Sequence, residues 1–365
     1  MTSFIKQCVG VDCAMEELVV TVAGLTESLF VHEIGFTKVA NNKTGYLKLF
    51  SWIKSLTSKG IKPVFVIEAT GVYHESFAHF VVDYGYDISV VLPSKIKHFR
   101  KSLDIKTDND KTASFGIAHF GLSRKLDLWK KPDPTFKALR SLIRERNQLL
   151  EESTSANNQL HAVNHSDEQN PRVIARLQAR ITFCKKQISE IEKDLITAIS
   201  DNQSLKSRLE NLCTIKGVGL LTTIAIIAET DGFALIRNKR QLVSYAGFDV
   251  VEKQSGISVR GKARMSKRGN KNIRKALYFP SMSAVRHDPG MKNDFARIVS
   301  RSGIKMKALV AIQRKLLVLI YTLWKKNEPF DPHYNKNEDF ENKSGWSSLT
   351  NPTELAVAAL EDKNN

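Results

Sequence analysis

Residues 63–68 have the sequence Pro-Val-Phe-Val-Ile-Glu, a continuous apolar run that ends at a carboxylate. Such a run predicts a β-strand buried on both faces, as in parallel sheets covered by helices. Residues 8–12, Cys-Val-Gly-Val-Asp, have the same form, and their apolar run also ends at an acid. Together the two stretches predict a buried central sheet, with Asp12 and Glu68 at or near the ends of neighbouring strands.

The segments around these strands complete an α/β pattern. Residues 18–22 predict a strand that follows the first one after a short turn, and residues 88–92 predict a further strand. Helices are predicted over residues 44–58 and through residues 77–81. Strands that alternate with helices indicate a largely parallel sheet, which the opening hairpin makes mixed. We expect this domain to occupy residues 1–128.

Long helices are predicted in residues 129–204. Pro132-Asp133-Pro134 supplies a helix cap and a first-turn proline. Further on, apolar residues recur every seven positions in two offset series: Ile174, Ile181, Ile188 and Leu195, and Leu177, Cys184, Ile191 and Ala198. This heptad pattern indicates a coiled-coil spacer. A helical hairpin within one chain gives the same pattern, so the sequence leaves both possibilities open.

Residues 205–326 predict a second, α-rich domain. The expected helices cover residues 220–229, 239–246, 270–286, 290–301 and 305–325. The turn Gly217-Val218-Gly219 before the first of them is similar to that of a helix-hairpin-helix, in which glycines let a phosphate approach the backbone. A plain helix C-cap has the same glycine pattern. Residues 327–365 carry eight acids and three lysines and are expected to form an acidic, mobile tail.

The charge is concentrated in one segment. The 365-residue chain has a net charge of +17, and residues 255–326 hold 18 Lys and Arg against only Asp288 and Asp294. A basic run can be merely a solvated face, but here the cations are interleaved with helix-forming apolar residues. The pattern favours a folded surface that faces a polyanion.

Other classes of protein do not fit. No apolar run approaches the roughly 18 residues of a spanning helix, so no membrane partner is expected. The N-terminus lacks the pattern of a signal peptide. Cys8, Cys13, Cys184 and Cys213 have no CxxC spacing and no nearby histidine pair, so neither a zinc site nor a disulfide framework is expected, and a reducing cytoplasm fits.

The acids suggest a metal site. Ligands bind at the carboxyl edge of an open α/β sheet, where Asp12 and Glu68 are expected. Two such acids repel each other unless a cation lies between them, and Mg²⁺ prefers oxygen ligands. Asp108 and Asp110 precede a predicted helix through Ile117 and form a third acidic cluster. Taken singly, Asp12 could be a turn residue, and Asp108 and Asp110 could cap the helix.

Short motifs in a fixed order resemble one known family. They are Gly10-Val11-Asp12, Glu68-Ala69-Thr70-Gly71-Val72-Tyr73, Asn109-Asp110-Lys111-Thr112-Ala113, Ile117-Ala118-His119-Phe120-Gly121, Asn158-Gln159-Leu160-His161-Ala162, Ile215-Lys216-Gly217-Val218-Gly219, Tyr245-Ala246-Gly247, Gln254-Ser255-Gly256, Gly261, Ser266-Lys267-Arg268-Gly269-Asn270 and Ile273-Arg274-Lys275-Ala276-Leu277. In this order they are similar to the DEDD transposases of insertion sequence one-ten, which are bridge-RNA-guided recombinases. The resemblance covers nearly all of residues 6–326.

The resemblance implies an RNase H-like (RuvC-like) N-terminal domain, a coiled-coil spacer and a basic α-rich transposase domain. It implies a DNA recombinase in the bacterial cytoplasm, associated with the nucleoid, with target DNA, donor DNA and an element-encoded RNA as partners. Base pairing by the RNA would then choose the sequence, as in other RNA-guided systems. Ser255 would form a covalent phosphoserine. A dimer or tetramer joined through residues 134–199 is expected.

The same resemblance assigns the remaining sites. Mg²⁺ would be held by Asp12, Glu68 and Asp110, with Asp108 as a further ligand. The family spaces its third and fourth acids as Asp-x-x-Asp, whereas Ala113 stands at the fourth position here, so the number of metal ions stays open. Nucleic-acid contacts are expected from a set of glycines and cations: Lys216, Gly217, Gly219, Arg260, Lys262, Arg264, Lys267, Arg268, Arg274 and Lys275.

Two other functions remain compatible with the sequence. A metal-dependent nuclease of the junction-resolvase type would use the same carboxylates with water as the nucleophile, and it would not need Ser255. A catalytically silent nucleic-acid-binding protein is the second alternative, because Ala113 replaces one acid of the family pattern.

Overall fold

The computed structural model describes residues 3–58, 60–103, 107, 109–234, 236–252, 254–256 and 259–332. Asp108 and nearly all of the predicted acidic tail lie outside these residues. The chain divides into two compact units, Met1–Pro132 and Asp133–Asn365. No helix formed by the described residues combines the length and the apolar character that a membrane span requires.

The first unit is a mixed α/β domain. Its elements are β1 (Phe4–Cys13), β2 (Glu17–Thr26), β3 (Val31–Ala40), α1 (Lys43–Leu56), β4 (Val64–Glu68), α2 (Glu75–Asp83), β5 (Ile88–Val91), α3 (Pro93–Lys101) and α4 (Asp110–Ser123). The strand order is β3-β2-β1-β4-β5. β1, β2 and β3 pair antiparallel, and β1, β4 and β5 pair parallel, so the predicted mixed sheet is confirmed.

Two elements of this unit were not predicted. β3 is an edge strand whose residues are all partly or fully exposed, so it lacks the continuous apolar run of a central strand. The helix α3 buries only Ile96 among its polar and basic residues. Both elements are weakly marked in the sequence because neither contributes much to the core.

Alternating residues of β1 face two different cores. Val9, Val11 and Cys13 pack with α1 and α2, whereas Cys8 packs with Val66 and the helix α4. Gly10 lies on the α4 side, and a Cβ there would come within 2.4 Å of two α4 backbone atoms, Ala118 N and Ser114 O. Glycine is therefore required at position 10, because only its bare backbone lets α4 lie directly on β1.

The second unit is mainly helical. Its elements are α5 (Pro134–Asn164), α6 (Pro171–Ser200), α7 (Gln203–Cys213), α8 (Leu220–Glu229), α9 (Lys239–Tyr245), β6 (Val250–Val251), β7 (Gln254–Ser255), β8 (Val259–Arg260), β9 (Arg264–Met265), α10 (Lys271–His287), α11 (Pro289–Ser302) and α12 (Lys305–Lys326). Most of their buried residues form one large apolar core, which includes Leu209, Ile226, Leu277 and Leu316.

The long helices α5 and α6 pack against each other within the chain. Leu177 and Ile181 of α6 form a small core with Ala156 of α5. Further along α6, Ile191 and Leu195 join the main core of the unit. The heptad residues thus bury themselves in a helical hairpin, which is the intramolecular arrangement that the sequence left open.

Candidate functional site

Asp12 and Glu68 lie side by side on one face of the sheet. β1 and β4 are paired in parallel register up to Val11 and Ile67, and the next residue on each strand is the acid. Directly paired residues of neighbouring strands point to the same face. This is the face covered by α4, since Gly10 and Val66 contact that helix. The predicted meeting of the two strand-end acids is therefore present.

Burial and neighbouring acids disfavour the ionised form of both carboxylates. Burial raises the pKa of Asp12, and the nearby Asp110 raises it further. Burial also raises the pKa of Glu68, to which the charge of Asp12 adds. The backbone N–H of Cys13 and the guanidinium of Arg100 offset only part of these effects at Asp12. The site is thus a partly buried negative cluster that a cation would stabilise.

Asp110 is brought to this cluster by the helix α4. The helix is capped by Asn109, whose Oδ1 accepts a hydrogen bond from Thr112 N at 2.9 Å, while Thr112 Oγ1 accepts one from Asn109 N at 3.0 Å. Asp110 is therefore not the N-cap residue. Its Oδ2 lies 2.7 Å from the ammonium of Lys38.

Lys38 and Arg100 are two cations beside the cluster that sequence reasoning missed. Lys38 lies in the cross-strand row of Asp12, because both residues pair with Val19 of β2. Arg100 of α3 donates to Thr112 Oγ1 at 3.5 Å, and its side chain crosses Gly116 of α4. Both cations lie on elements that the sequence pattern did not reveal, so no local signal identified them.

The donor chemistry of the cluster fits Mg²⁺. Among the residues that the structure describes, no three His, Cys, Asp or Glu side chains converge into a ready-made metal cage. Mg²⁺ does not require one, because it is commonly held by one or two carboxylates, waters and substrate phosphates. Asp12 and Glu68 share a sheet face, and the pKa of each is raised, so they are a suitable pair of oxygen ligands for a cation.

Ser255 lies in the second unit, on an exposed hairpin that consists of two successive strand pairs. β6 pairs with β9, and between them β7 pairs with β8, with Ser255 opposite Val259. The Ser255 side chain is exposed and donates no hydrogen bond to another described residue. Gly256 follows with φ +54°, a conformation that favours glycine. An exposed hydroxyl of this kind needs activation from elsewhere before it can act as a nucleophile.

The segments on either side of this hairpin in the chain, residues 245–247 and Ser266–Asn270, pack against each other. The loop Ser266–Asn270 meets residues 245–247, and a Cβ at Gly269 would lie 2.5 Å from both Gly247 N and Tyr245 O. Asn270 N donates to Tyr245 O at 2.8 Å, and Lys267 N donates to Gly247 O at 3.2 Å. The contact leaves the side chains of Lys267 and Arg268 exposed.

A buried glutamate anchors this arrangement. Glu229, at the end of α8, is 2% exposed. Its carboxylate accepts two hydrogen bonds of 2.8 Å from Arg144, one of 2.7 Å from Asn270 and one of 2.8 Å from Asn272. Tyr245 Oη donates to the Glu229 carbonyl at 2.8 Å. Sequence reasoning missed Glu229, although its position at the end of an apolar helix is unusual for an acid.

The predicted nucleic-acid contacts are in several different environments. The exposed ones are Lys216, Gly219, Lys262, Arg264, Lys267, Arg268 and Lys275, whereas for Arg260 only the backbone is described. Arg274 donates to Ala246 O at 2.7 Å, and Lys275 forms an ion pair with Glu151. Gly217 has φ +88°, and a Cβ there would lie 2.7 Å from Ala284 N. Packing against α10 therefore accounts for that glycine.

Comparisons with known proteins agree with the motifs. A DEDD transposase model of IS110 elements matches residues 9–163, and the model described as Transposase IS116/IS110/IS902 family matches residues 209–296. The pilin gene-inverting protein of Moraxella bovis is 27% identical over 298 residues, which cover 80% of this chain and 89% of that protein. The transposase for insertion sequence element IS1328 of Yersinia enterocolitica is 25% identical, covering 55% of this chain and 66% of that protein.

Among solved structures, Thermus thermophilus RuvC aligns with 34% of this chain and 99% of its own, at 11% identity and a TM-score of 0.27. That score is too low to carry an argument, so the assignment rests on the two family models and the transposase and pilin gene-inverting relatives. The chain belongs to the IS110 family of DEDD transposases.

Proposed function

We propose that this transposase is an RNA-guided DNA recombinase that cuts and rejoins DNA through a covalent phosphoserine at Ser255. The observation that supports it is the pair Asp12 and Glu68, which end neighbouring strands on one face of the sheet, with Asp110 close enough for its charge to raise the pKa of Asp12. The exposed hydroxyl of Ser255 and its basic surroundings support it further. Target DNA, donor DNA and an element-encoded RNA are the proposed partners.

Asp12 and Glu68 would hold Mg²⁺, with Asp110 as a further ligand once its contact with Lys38 is exchanged. When bound, the ion supplies Lewis-acid stabilisation of the negative charge that develops on a phosphate oxygen. Asp108 is proposed as a ligand from its place in the sequence. Ala113 leaves the helix position three residues after Asp110 without a donor, and we therefore propose a site built from fewer acids than the family pattern.

Ser255 would act by displacement at phosphorus. Its Oγ forms a bond to the phosphorus atom and gives up its proton to water, the bond from phosphorus to one deoxyribose oxygen breaks, and the departing oxygen takes up a proton from water. Attack by the hydroxyl of the exchanged strand then reverses the displacement, rejoins the DNA and releases the serine. Exposed cations that follow Ser255, such as Lys262 and Arg264, stabilise charge on the phosphate.

Asp12 and Ser255 lie in different compact units of the chain. The proposal therefore requires the carboxylate cluster and the hydroxyl to act on the same DNA linkage, within one subunit or between two. Assembly of a dimer or tetramer through residues 134–199 is our proposal for bringing such sites together. Exposed apolar side chains on α6, including Phe183 and Ile196, are available for a contact of this kind.

The test is to trap a protein–DNA adduct that survives denaturation, using the full chain, Mg²⁺, its co-purified RNA and DNA carrying the element ends. Ser255→Ala should abolish the adduct, whereas the matched control Ser300→Ala, an exposed serine of α11, should retain it. Asp12→Asn should abolish cleavage and keep binding, whereas Asp87→Asn, an exposed aspartate before β5, should keep both. An adduct that persists in Ser255→Ala contradicts the serine mechanism.

The alternative nuclease is favoured by one observation, namely that the described acids Asp12, Glu68 and Asp110 all belong to the first unit, whereas Ser255 belongs to the second. Cleavage without an adduct, unaffected by Ser255→Ala, would establish that alternative. Cleavage unaffected by Asp12→Asn would exclude both enzymatic mechanisms. The guided part of the proposal is tested separately by sequencing the RNA that co-purifies with the expressed element, and it fails if no flanking RNA is enriched.

A further inference from the structure

The helix α10 exposes a continuous stripe of five side chains. Lys271, Lys275, Phe279, Met282 and Arg286 are all exposed, and their spacing of three or four residues places them on one face of the helix. Phe279 is 74% exposed and Met282 is 48% exposed. The opposite face is buried in the core of the second unit, so the stripe is an outer surface of a firmly packed helix.

The stripe has the charge pattern of a surface that faces an anion. The helix α10 contains four Lys and Arg and no acid. Lys271 and Arg286 form no salt bridge with another described residue, whereas Lys275 pairs with the exposed Glu151. A second copy of this chain would bring another strongly basic protein against these cations, because the net charge is +17. A polyanion is therefore the better partner for the stripe.

The two apolar residues, Phe279 and Met282, suit a partner that offers more than a phosphate backbone. The ring of Phe279 makes an edge contact with the ring of Tyr278, with the two centroids 5.3 Å apart and the two ring planes at 81°. Exposed aromatic and methionine side chains between cations are typical of proteins that stack on bases or insert between base steps. DNA offers both phosphates and, where it is unstacked, a free base face.

The length of the stripe suits a DNA strand. Lys271 and Arg286 are 15 residues apart on the helix, or about 22 Å at about 1.5 Å per residue. A strand of B-DNA has one phosphate per roughly 3.4 Å of axis, so the stripe spans about six phosphates. The loop Ser266–Asn270, with exposed Lys267 and Arg268, continues the basic surface beyond the N-terminal end of α10.

We propose that this stripe of α10 binds an unstacked segment of DNA, with Phe279 stacked on a base and Lys271 and Arg286 on flanking phosphates. The inference rests on the proposed recombination, in which strand exchange requires separated bases. Ser255 lies on the hairpin that joins α9 to α10. The basic loop Ser266–Asn270 follows this hairpin and precedes α10, so a DNA strand attached to Ser255 could continue along that loop to the stripe.

The test compares binding of the full chain to three DNA probes: a paired duplex, a duplex with an unpaired bubble, and the same bubble carrying 2-aminopurine. Phe279→Ala should weaken binding to the bubble by about fivefold to a hundredfold, the usual range for loss of one stacked base. It should leave the paired duplex unchanged and remove the 2-aminopurine fluorescence change. Phe279→Leu should be intermediate. The control Phe30→Ala, a 68% exposed phenylalanine before β3, should change nothing.

Salt dependence separates the roles within the stripe. Phe279→Ala should leave the slope of log affinity against log salt unchanged, because the ring contacts no phosphate. Lys271→Ala and Arg286→Ala should each lower that slope by about 0.7 to 0.9.

Three results would overturn the proposal. They are equal binding of the bubble by wild type and Phe279→Ala, an effect seen only with an RNA bubble, and a change in oligomeric mass instead of DNA affinity. Because all readouts are binding, failure of the serine chemistry would leave this test intact.

Discussion

Replacement of Glu229 by glutamine tests the buried anchor of the second unit. The carboxylate receives four hydrogen bonds, two from Arg144 and one each from Asn270 and Asn272. Glutamine keeps the shape of the side chain but removes the charge and one acceptor oxygen, and its amide places a new donor against existing donors. The perturbation is therefore almost purely electrostatic.

The structure sets the size of the expected effect. Removing one partner of a buried ion pair costs about 3–5 kcal/mol, because the other charge is left uncompensated. The Arg144 side chain is 55% exposed, so water can hydrate its guanidinium after the change. One glutamine oxygen also still accepts a hydrogen bond. We therefore expect Glu229→Gln to lower the free energy of unfolding of the second unit by about 2–3 kcal/mol.

The loss should depend on pH in one direction. Burial opposes ionisation of Glu229, but hydrogen bonds from Arg144, Asn270 and Asn272 outweigh burial and hold its pKa below the usual value. A depressed folded-state pKa stabilises the fold above the unfolded pKa, about 4.3, and this contribution is lost as pH falls through the folded value. The difference between wild type and Glu229→Gln should thus be full at neutral pH and shrink below about pH 4.

The measurement is urea unfolding combined with amide hydrogen exchange, followed by peptide. Exchange should accelerate in peptides that cover residues 266–277 and 245–247, and it should not change in β1 of the first unit. Glu210→Gln, the same change at an exposed position of α7, is the matched control and should have no effect. Unchanged exchange at residues 266–277, or a loss of stability equal to that of the control, would refute the anchoring role.

Three further predictions concern the packing of β1 on α4, the carboxylate pair and the basic loop before α10. Gly10→Ala should destabilise the first unit by about 3 kcal/mol, because its Cβ would overlap the α4 backbone, whereas Gly219→Ala, with open space around it, should be nearly neutral in thermal unfolding. Asp12→Asn should raise the melting temperature at neutral pH without Mg²⁺, since the raised pKa of Asp12 makes its ionised form costly, and this gain should vanish in acid. Excess Mg²⁺ should then stabilise wild type, by about 2.7 kcal/mol at 100 times Kd, but not Asp12→Asn. Lys267→Ala combined with Arg268→Ala should lower the salt slope of DNA binding by about 1.8, and a slope equal to that of wild type would mean that the loop makes no phosphate contact.

Strong local patterns in the sequence predicted much of the fold correctly. The apolar runs before Asp12 and Glu68 identified two central strands, and the structure pairs them as neighbours. The helix predicted at residues 305–325 is observed as Lys305–Lys326, and the one at 270–286 as Lys271–His287. These elements bury a continuous run or a full stripe of apolar residues, so their periodicity is visible without any knowledge of the partner surface.

Elements with little burial could not be predicted in this way. β3 and α3 contribute few side chains to the core, and each contributes a cation to the carboxylate cluster, Lys38 and Arg100. The heptad pattern of α6 predicted a long helix but could not decide what covers it. In the structure α5 and the main core cover this face of α6. The sequence could not show this, because hydrophobic spacing specifies that a face is buried but not which surface buries it.

The sequence by itself determined which residue types end the buried strands, where the helices run and where the positive charge is concentrated, since each of these is a property of neighbouring residues. Only the tertiary structure decided that Asp12 shares a sheet face with Glu68 and a charge environment with Asp110, and that Glu229 joins Arg144 to Asn270. These partners lie tens of residues apart in the chain. Their contacts depend on strand order, register and close approaches such as that of Gly10 to α4, which no local pattern encodes.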